Sequence, residues 1–303
     1  MNWTTELIEL FKNDILVKRE SRINQILGDE PLIFPERIPF YLSDSGLRNN
    51  NIVIDLTTEE KIQLIELKEI PNTIFKYLNW NPYLFQSQLF DSLFKERFLL
   101  IRKGRQLGLT TILIDFLIHQ CLLNIGSQNL VVCTSNKSIE NIYNKLISDL
   151  RMIPLAFQVG ISKKEEFSIL WENGSTIKFR TEKNLTLNQN YDNVILSDSS
   201  YFENLSFLLN RIVPAMSSLK NGRIIIDGNI TYKKSFFNDL CSGNKFPFKE
   251  TIINSMNVPT RDSLWEKNLI SIIGIEGYLS EFMCLIPGTE EWNREFNLYQ
   301  LLK

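Results

Sequence analysis

The chain has 303 residues, of which 44% are hydrophobic and 11% aromatic, and its formal net charge is −2. This length and apolar content suffice for one large or two small domains with a sizeable core, and nothing in the composition indicates disorder. The balanced charge excludes a generally basic nucleic-acid binder, so any contact with DNA would need a local basic patch. No apolar run approaches the length of a membrane span, and the acidic first residues lack the apolar core of a secretory signal.

Residues 1–75 are charged and contain four prolines. We expect them to form helices and loops beside a main domain at 76–290, with 291–303 as a tail or linker. The first eighteen residues have apolar side chains at helical spacing, which predicts a helix docked on the core, with partner or membrane binding as the alternative. These apolar positions are Trp3, Leu7, Ile8, Leu10, Phe11 and Ile15.

From Phe98 onward, predicted strands and helices alternate, which favours an α/β fold with a mostly parallel sheet and helices on its faces. The period changes at 167–180, where Asn173-Gly174 predicts a β-hairpin with a two-residue turn. The other predicted strands are 98–101, 130–134, 194–198, 223–226 and 248–254, and the predicted helices are 109–124, 137–150, 235–240, 261–273 and 276–284.

The first of these strands is followed by a glycine loop and a helix, which is the layout of a phosphate-binding loop. In such a loop the backbone N–H groups and the helix N-terminus point at one anion. In the pattern G-x-x-x-x-G-K-[ST], Gly108 and Thr110 match the second glycine and the hydroxyl. Leu109 replaces the lysine, and Lys103 stands at the first glycine.

Three cations, Arg102, Lys103 and Arg105, surround this loop, which suits an anionic ligand. The alternative is an ordinary tight turn between a strand and a helix, as in any α/β protein. The four cysteines show no metal-binding spacing and the chain has one histidine, His119, so we expect reduced core thiols and no zinc site. The cysteines are Cys121, Cys133, Cys241 and Cys284.

The loop sequence Gly104-Arg-Gln-Leu-Gly-Leu-Thr-Thr111 resembles the loop S/G-R-Q-x-G-K-T-T of the large terminase subunits of tailed bacteriophages. Lys103 to Thr110 matches a deviant form of that loop, K-x-x-x-x-G-x-[ST], in which the lysine is at the front. Upstream, Gln86 lies in a segment that resembles the family's adenine-recognising glutamine motif. The hairpin, the strand ending in Asp198 and the strand 223–226 follow in the family's order, from about residue 75 to residue 300.

The resemblance implies a doubly wound P-loop ATPase that binds ATP and Mg²⁺. Gln86 would contact adenine, and Asp198 with Thr110 would hold the metal, Asp198 as a helix cap being the alternative. The remaining residues expected to bind the phosphates are Lys103, Gly104, Arg105, Gln106, Gly108 and Thr111.

Several positions depart from the family pattern or carry two interpretations. Ser199 stands where the family has its catalytic glutamate, and Glu203 is the candidate replacement. Asn229 is a candidate sensor of a terminal phosphate, and Asp227 is either a replacement carboxylate or a strand-end residue. Arg105 matches an arginine expected to stabilise transition-state charge, a role worth about 10³-fold or more, or it forms a salt bridge that holds the loop.

The function implied by the resemblance is ATP-driven packaging of double-stranded viral DNA into a procapsid, in the cytoplasm of an infected host and not as a stable part of the virion. The expected partners are the DNA, a portal protein, a small terminase subunit and further copies of the chain in a ring. Phe282–Thr289 resembles the family's junction between motor and nuclease, and we expect no nuclease activity from this chain, which leaves room for a separate nuclease subunit.

Positively charged pairs and trios are the candidate DNA contacts, with an ordinary solvated surface as the alternative. Two other functions stay open at this point: a catalytically silent terminase-like subunit that binds nucleotide or DNA, and a helicase-like DNA ATPase outside packaging. The candidate DNA contacts are Lys163 with Lys164, Lys233 with Lys234, and the trio Arg211, Lys220 and Arg223.

Overall fold

The computed structural model describes residues 58–301 apart from 155–156, 158, 186–189, 218, 234 and 244–245. The apolar segment predicted as an N-terminal docking helix, like most of the predicted extension, lies outside the described residues. Among the helices that the structure describes, none combines the length and apolarity that crossing a bilayer requires.

The described residues build an α/β fold around an eight-stranded sheet. The strands are β1 Phe98–Lys103, β2 Gln128–Cys133, β3 Ile161–Glu165, β4 Ser168–Trp171, β5 Thr176–Thr181, β6 Asn193–Leu196, β7 Arg223–Gly228 and β8 Lys249–Ile253. Their order across the sheet is β3-β4-β5-β2-β6-β7-β1-β8. Only β4 pairs antiparallel with its neighbours, β3 and β5, so the predicted mostly parallel sheet is confirmed.

Helices cover both faces of this sheet. They are α1 Thr58–Glu69, α2 Ile74–Tyr77, α3 Leu84–Lys95, α4 Leu109–Leu123, α5 Asn136–Leu150, α6 Leu205–Ser217, α7 Phe236–Ser242, α8 Ser263–Gly277 and α9 Glu290–Leu301. Successive residues of a strand point to opposite faces, and accordingly Leu99 and Ile101 belong to the core that includes residues of α1 to α5, whereas Leu100 belongs to the core that includes residues of α6 and α7. The predicted doubly wound arrangement is therefore confirmed.

The hairpin β4–β5 forms at the predicted turn. Gly174 has a φ of +79°, and the side chain of Asn173 accepts from the N–H of Ser175 at 3.0 Å. The same side chain donates to the carbonyl of Cys121 in α4 at 2.8 Å, which attaches the turn to the helix. The neighbouring strand β3 was not predicted, because its sequence, Ile-Ser-Lys-Lys-Glu, is largely exposed and has no apolar alternation.

The C-terminal part of the described chain has a small core of its own, between α8, a π-helical turn at Tyr278–Phe282, and α9. The predicted tail from residue 291 is thus helical, and α9 was not predicted. Neither was α6. At the other end, α1 packs into the main core, although it precedes the predicted domain start at residue 76. The buried residues of the C-terminal core are Ile275, Tyr278, Leu279, Phe282 and Trp292.

Candidate nucleotide-binding site

The loop Gly104–Gly108 joins β1 directly to α4. Gly108 forms the N-cap of α4 in the left-handed region, with a φ of +71°, which favours glycine. In the described part of the chain, Ile112 is the first residue of α4 whose N–H donates to a backbone carbonyl, that of Gly108 at 3.2 Å. The N–H groups at the start of α4 are therefore the donors that a helix offers to an anion.

The position that usually carries the phosphate-binding lysine is part of the hydrophobic core. Leu109 is buried, and it packs among apolar side chains of the main core. The next two residues, Thr110 and Thr111, are half-buried at the start of α4. The core thus accounts for a leucine at this position, and any cation for phosphates has to come from elsewhere in the loop.

Lys103, the last residue of β1, holds its ammonium between two carboxylates. Its Nζ lies 2.7 Å from Oδ1 of Asp198 and 2.5 Å from Oδ1 of Asp227. Asp198 follows β6 with a φ of +55°, and its N–H donates to Oδ1 of Asp227 at 3.3 Å. The three residues meet because the sheet places β6, β7 and β1 side by side.

Burial and charge oppose each other in this cluster. Burial favours the neutral amine, but Asp227 and Asp198 outweigh it and raise the pKa of Lys103 above its ordinary value. Burial raises the pKa of Asp227, against the opposing effect of Lys103. With all three groups ionised the cluster has one negative charge in excess, and Oδ2 of Asp227 accepts no hydrogen bond from the described residues.

Gln86, the predicted adenine contact, connects the loop to α3 through hydrogen bonds to backbone groups. Its Nε2 donates to the carbonyl of Leu107 at 2.9 Å, and its Oε1 accepts from the N–H of Tyr83 at 2.8 Å. Both ends of the buried amide are thus bonded to backbone. Gln86 anchors the loop to α3, and its contact with adenine stays a prediction. Tyr83 is 41% exposed and stacks on Phe85 beside this anchor.

Arg105 forms the salt bridge that was one of its two predicted roles. Its Nε lies 2.5 Å from a carboxylate oxygen of Glu281, and a terminal nitrogen donates to the hydroxyl of Tyr201 at 2.8 Å. The N–H of Arg105 also donates to the carbonyl of Glu281 at 3.1 Å. The role as a charge-stabilising finger stays a prediction, which requires Arg105 to leave Glu281.

Glycine at position 104 is explained by the close approach of two later segments. The N–H of Gly104 donates to the carbonyl of Ile253 at 2.7 Å, and a Cβ at this position would lie only 2.7 Å from the carbonyl oxygen of Phe282. The guanidinium of Arg261 donates to the carbonyl of Gln106 at 3.1 Å. These long-range contacts to the loop were not predicted from the sequence.

The predicted phosphate sensor, Asn229, contacts the end of β1, just before the loop. Its buried Nδ2 donates to the carbonyl of Lys103 at 3.0 Å and, more weakly, to that of Glu281 at 3.5 Å. This amide therefore joins β1 to the C-terminal segment. A contact between Asn229 and a phosphate stays a prediction.

The two residues considered for the catalytic base have different surroundings. Ser199 is buried, and its hydroxyl donates to the carbonyl of Leu196 at 2.8 Å. Glu203 is exposed, with a carboxylate oxygen 3.7 Å from Nζ of Lys183. Neither contact is with the cluster around Lys103, and the assignment of Glu203 as base stays a prediction.

The candidate DNA-binding cations differ in their exposure and in the groups that they contact. The guanidinium of Arg223 donates to the carbonyl of Phe94 at 3.3 Å, and burial lowers its pKa. Lys163 forms an ion pair with Glu165 on β3. Lys234 lies outside the described residues. The remaining candidates with exposed side chains are Lys164, Arg211, Lys220 and Lys233.

The described fold is similar to solved phage structures. A mutant form of the large terminase ATPase domain of Thermus phage P74-26 matches with a TM-score of 0.58 and 18% identity, over 70% of this chain and 97% of that one. The chain has the fold of a terminase ATPase domain. The large terminase of the thermophilic bacteriophage D6E matches with a TM-score of 0.51 and 9% identity, over 67% of this chain and 53% of that one.

The same D6E terminase in complex with ATP-gamma-S matches with a TM-score of 0.51 and 10% identity, over 68% of this chain and 53% of that one. No protein-family model matches the chain, and no curated relative does. At these identities the likeness to terminases shows the fold alone.

The residues of the loop fit a nucleotide with magnesium. Phosphates suit the N–H groups at the start of α4. The carboxylate of Asp198 is 42% exposed and lies 2.7 Å from Nζ of Lys103, the residue that precedes the loop. In the part of the chain that the structure describes, no three His, Cys, Asp or Glu side chains are grouped as a metal site. Magnesium in nucleotide sites needs only one or two carboxylates, because phosphates and waters complete its ligands.

Proposed function

We propose that this chain is a terminase-like ATPase that binds ATP with Mg²⁺ at the loop Gly104–Gly108 and drives the packaging of double-stranded viral DNA into a procapsid. One observation carries the proposal. The loop ends at a helix N-terminus, and beside it the buried ammonium of Lys103 and the carboxylate of Asp198 lie 2.7 Å apart. Donors for phosphate, a cation and a metal-binding carboxylate thus meet at the carboxyl ends of parallel strands.

Each residue has a definite task in this proposal. The N–H groups at the start of α4 would bind phosphate oxygens, and Thr110 with Asp198 would hold the magnesium ion. Lys103 would exchange a carboxylate for a phosphate oxygen when nucleotide binds. Arg105 leaves Glu281 to approach the same phosphates. The bound nucleotide supplies the phosphoanhydride bond whose hydrolysis drives movement of the DNA.

The wider assembly follows from the same proposal. A ring of copies would dock on a portal protein in the cytoplasm of an infected cell, with a small terminase subunit and, where DNA is cut, a separate nuclease. Exposed cations such as Arg211 and Lys220 would contact DNA phosphates, so that binding weakens steeply with added salt.

A second candidate function is a catalytically silent subunit that binds nucleotide or DNA during assembly. Two observations favour it. Ser199 occupies the position of the expected catalytic glutamate and uses its hydroxyl within its own turn, and Leu109 is buried in the core. Loss of a positioned base alone lowers turnover by about 10²- to 10⁴-fold.

ATP hydrolysis by the purified chain with Mg²⁺ tests the proposal, with and without double-stranded DNA. We expect turnover above background that DNA raises. Lys103→Ala and Asp198→Ala should each abolish it, because they remove the cation and the metal-binding carboxylate. Lys249→Ala is the matched control, since it removes a lysine whose ion pair with Glu96 lies on the edge strand β8.

The outcomes separate the two functions. Turnover that survives both Lys103→Ala and Asp198→Ala would contradict the site. If the chain binds nucleotide but does not hydrolyse it, even with DNA present, the second candidate function, a catalytically silent subunit, would replace the first.

A further inference from the structure

Two carboxylates face the same point at the carboxyl ends of neighbouring strands in the sheet. Oδ1 of Asp198 and Oδ1 of Asp227 lie 2.7 Å and 2.5 Å from the same atom, Nζ of Lys103. Asp227 is in β7, and Asp198 lies two residues beyond the end of the adjacent parallel strand β6, so the order of the strands in the sheet brings the two side chains together. The point where they meet is a position for a cation.

The burial of Asp227 carries a large desolvation cost. It follows three buried isoleucines of β7, and its side chain is fully buried. A buried carboxylate is tolerated when opposite charges and hydrogen bonds satisfy it. Among the described residues, however, Oδ2 of Asp227 accepts no hydrogen bond. The ammonium of Lys103 neutralises only one of the two carboxylates that face it.

We propose that Asp198 and Asp227 together form a divalent-cation site that Lys103 fills with its own ammonium until nucleotide binds. The inference rests on the proposed function, and it adds Asp227 as a second metal-binding carboxylate. A divalent cation neutralises both carboxylates, whereas the ammonium leaves one negative charge in excess. Nucleotide binding would release Lys103 toward the phosphates, and Asp198 and Asp227 would then hold the metal at the vacated point.

The chemistry of magnesium suits two carboxylates at this position. Mg²⁺ in nucleotide sites is commonly held by one or two carboxylates, with phosphates and waters as its other ligands. Together with Thr110, the carboxylates of Asp198 and Asp227 would supply three ligands, which leaves the other positions of an octahedral ion to phosphates and waters.

The first arm of the test needs no nucleotide, and neither arm depends on turnover. We would measure Mn²⁺ binding to Lys103→Met by the loss of the free Mn²⁺ spin-resonance signal, together with the melting temperature in the presence and absence of Mn²⁺. Removing the ammonium leaves both carboxylates facing an open point. We expect Lys103→Met to bind one Mn²⁺ at least 10-fold more tightly than the unaltered chain, and to melt at a higher temperature when Mn²⁺ is added.

Two variants control this measurement. Lys103→Met with Asp227→Asn keeps Asp198 but removes the second carboxylate, and it should lose the added Mn²⁺ affinity. Lys249→Met frees the single carboxylate of Glu96 from its partner, and it should bind no more tightly than the unaltered chain. Equal affinities of Lys103→Met and the Asp227→Asn double variant would overturn the inference.

A second arm covers the case in which Lys103→Met unfolds. Recovery of its fold on adding Mn²⁺ would support the site. The unaltered chain and Asp227→Asn are then compared for Mn²⁺ affinity with ADP bound, where we expect at least a 10-fold loss in the variant. Equal affinities in that comparison would overturn the role of Asp227, even if nucleotide itself binds as proposed.

Discussion

The described part of the chain buries carboxylates in two places, and these places differ in what surrounds them. The first is the cluster of Lys103, Asp198 and Asp227, at the carboxyl ends of adjacent strands. The second lies between two helices, where Asp115 of α4 is buried near Asp149 of α5. Each place includes a buried carboxylate oxygen that accepts no hydrogen bond from the described residues.

The position of the lysine separates the two clusters. Lys103 is buried between both of its carboxylates, whereas Lys145 is 41% exposed and forms an ion pair with one of its two neighbouring carboxylates, that of Asp149. Asp115 receives one hydrogen bond, from Nε1 of Trp80 at 3.1 Å. A buried acid by itself therefore does not mark a ligand site. The first cluster differs because two carboxylates face one cation, at the carboxyl ends of parallel strands and next to a glycine loop.

The first effect that we predict is a difference in stability between variants of the two lysine pairs. Asp227→Ala should lower the free energy of unfolding by about 3 kcal/mol, because it leaves a buried ammonium with one partner. Asp149→Ala should cost less than about 1 kcal/mol through the loss of its ion pair, because Lys145 remains in contact with water. Urea denaturation of both variants measures the difference, and equal losses would remove the distinction.

The second prediction concerns pH and Asp115. Burial and then Asp149 raise the pKa of Asp115 to about 8, above its value in the unfolded chain. This carboxyl therefore favours the folded state below about pH 4, and that contribution is lost as the pH rises toward 8. Relative to Asp115→Asn, the unaltered chain should lose up to about 1.4 kcal/mol per pH unit across this window. Parallel stability curves from pH 5 to 8 would contradict the assignment.

The third prediction concerns the anchor behind the loop. Gln86→Ala removes the hydrogen bonds to Leu107 and Tyr83, and we expect a loss of about 1–2 kcal/mol in unfolding free energy. Hydrogen exchange of the loop amides should also become faster, since the loop is released from α3. Gln128→Ala is a control with a half-buried amide at another turn. Unchanged exchange in the loop would show that Gln86 does not hold it.

Features of the site that depend on neighbours in the chain could be predicted from the sequence, whereas features that depend on the order of the strands could not. Thr110 at the start of a helix, Asp198 at the end of a strand and the Asn173-Gly174 turn were predictable because each depends on neighbours in the chain. The cluster around Lys103 was not, since it requires the order β6-β7-β1 across the sheet. Asp227 consequently had two interpretations, strand-end residue or replacement carboxylate.

The same limit applies to the segments that hold the loop. Glu281 and Arg261 contact Arg105 and Gln106 from far along the chain, and no local pattern specifies such contacts. Strand β3 was missed for a different reason, because an exposed and charged edge strand lacks the apolar alternation on which strand prediction depends.

The smallest effect should come from Glu203. Its carboxylate is exposed and pairs with Lys183 at 3.7 Å, so Glu203→Gln should change stability by less than about 0.5 kcal/mol. We expect turnover to change less than about 3-fold, because the structure shows no contact between Glu203 and the Lys103 cluster. A loss of 100-fold or more, with nucleotide affinity unchanged, would establish Glu203 as the base.

The most direct test of the central claim is calorimetric titration of the chain with ATP-gamma-S and Mg²⁺. We predict binding of one nucleotide, weakened at least 10-fold in Gly108→Ala, whose Cβ would lie 2.8 Å from Nε2 of Gln86 in a left-handed loop position. Gly126→Ala is the matched control. Gly126 has a φ of +75°, and a Cβ at this position would have no neighbouring atom within 4 Å, so this variant should bind nucleotide as the unaltered chain does. No binding by the unaltered chain, or equal affinity in Gly108→Ala, would contradict a nucleotide site at this loop.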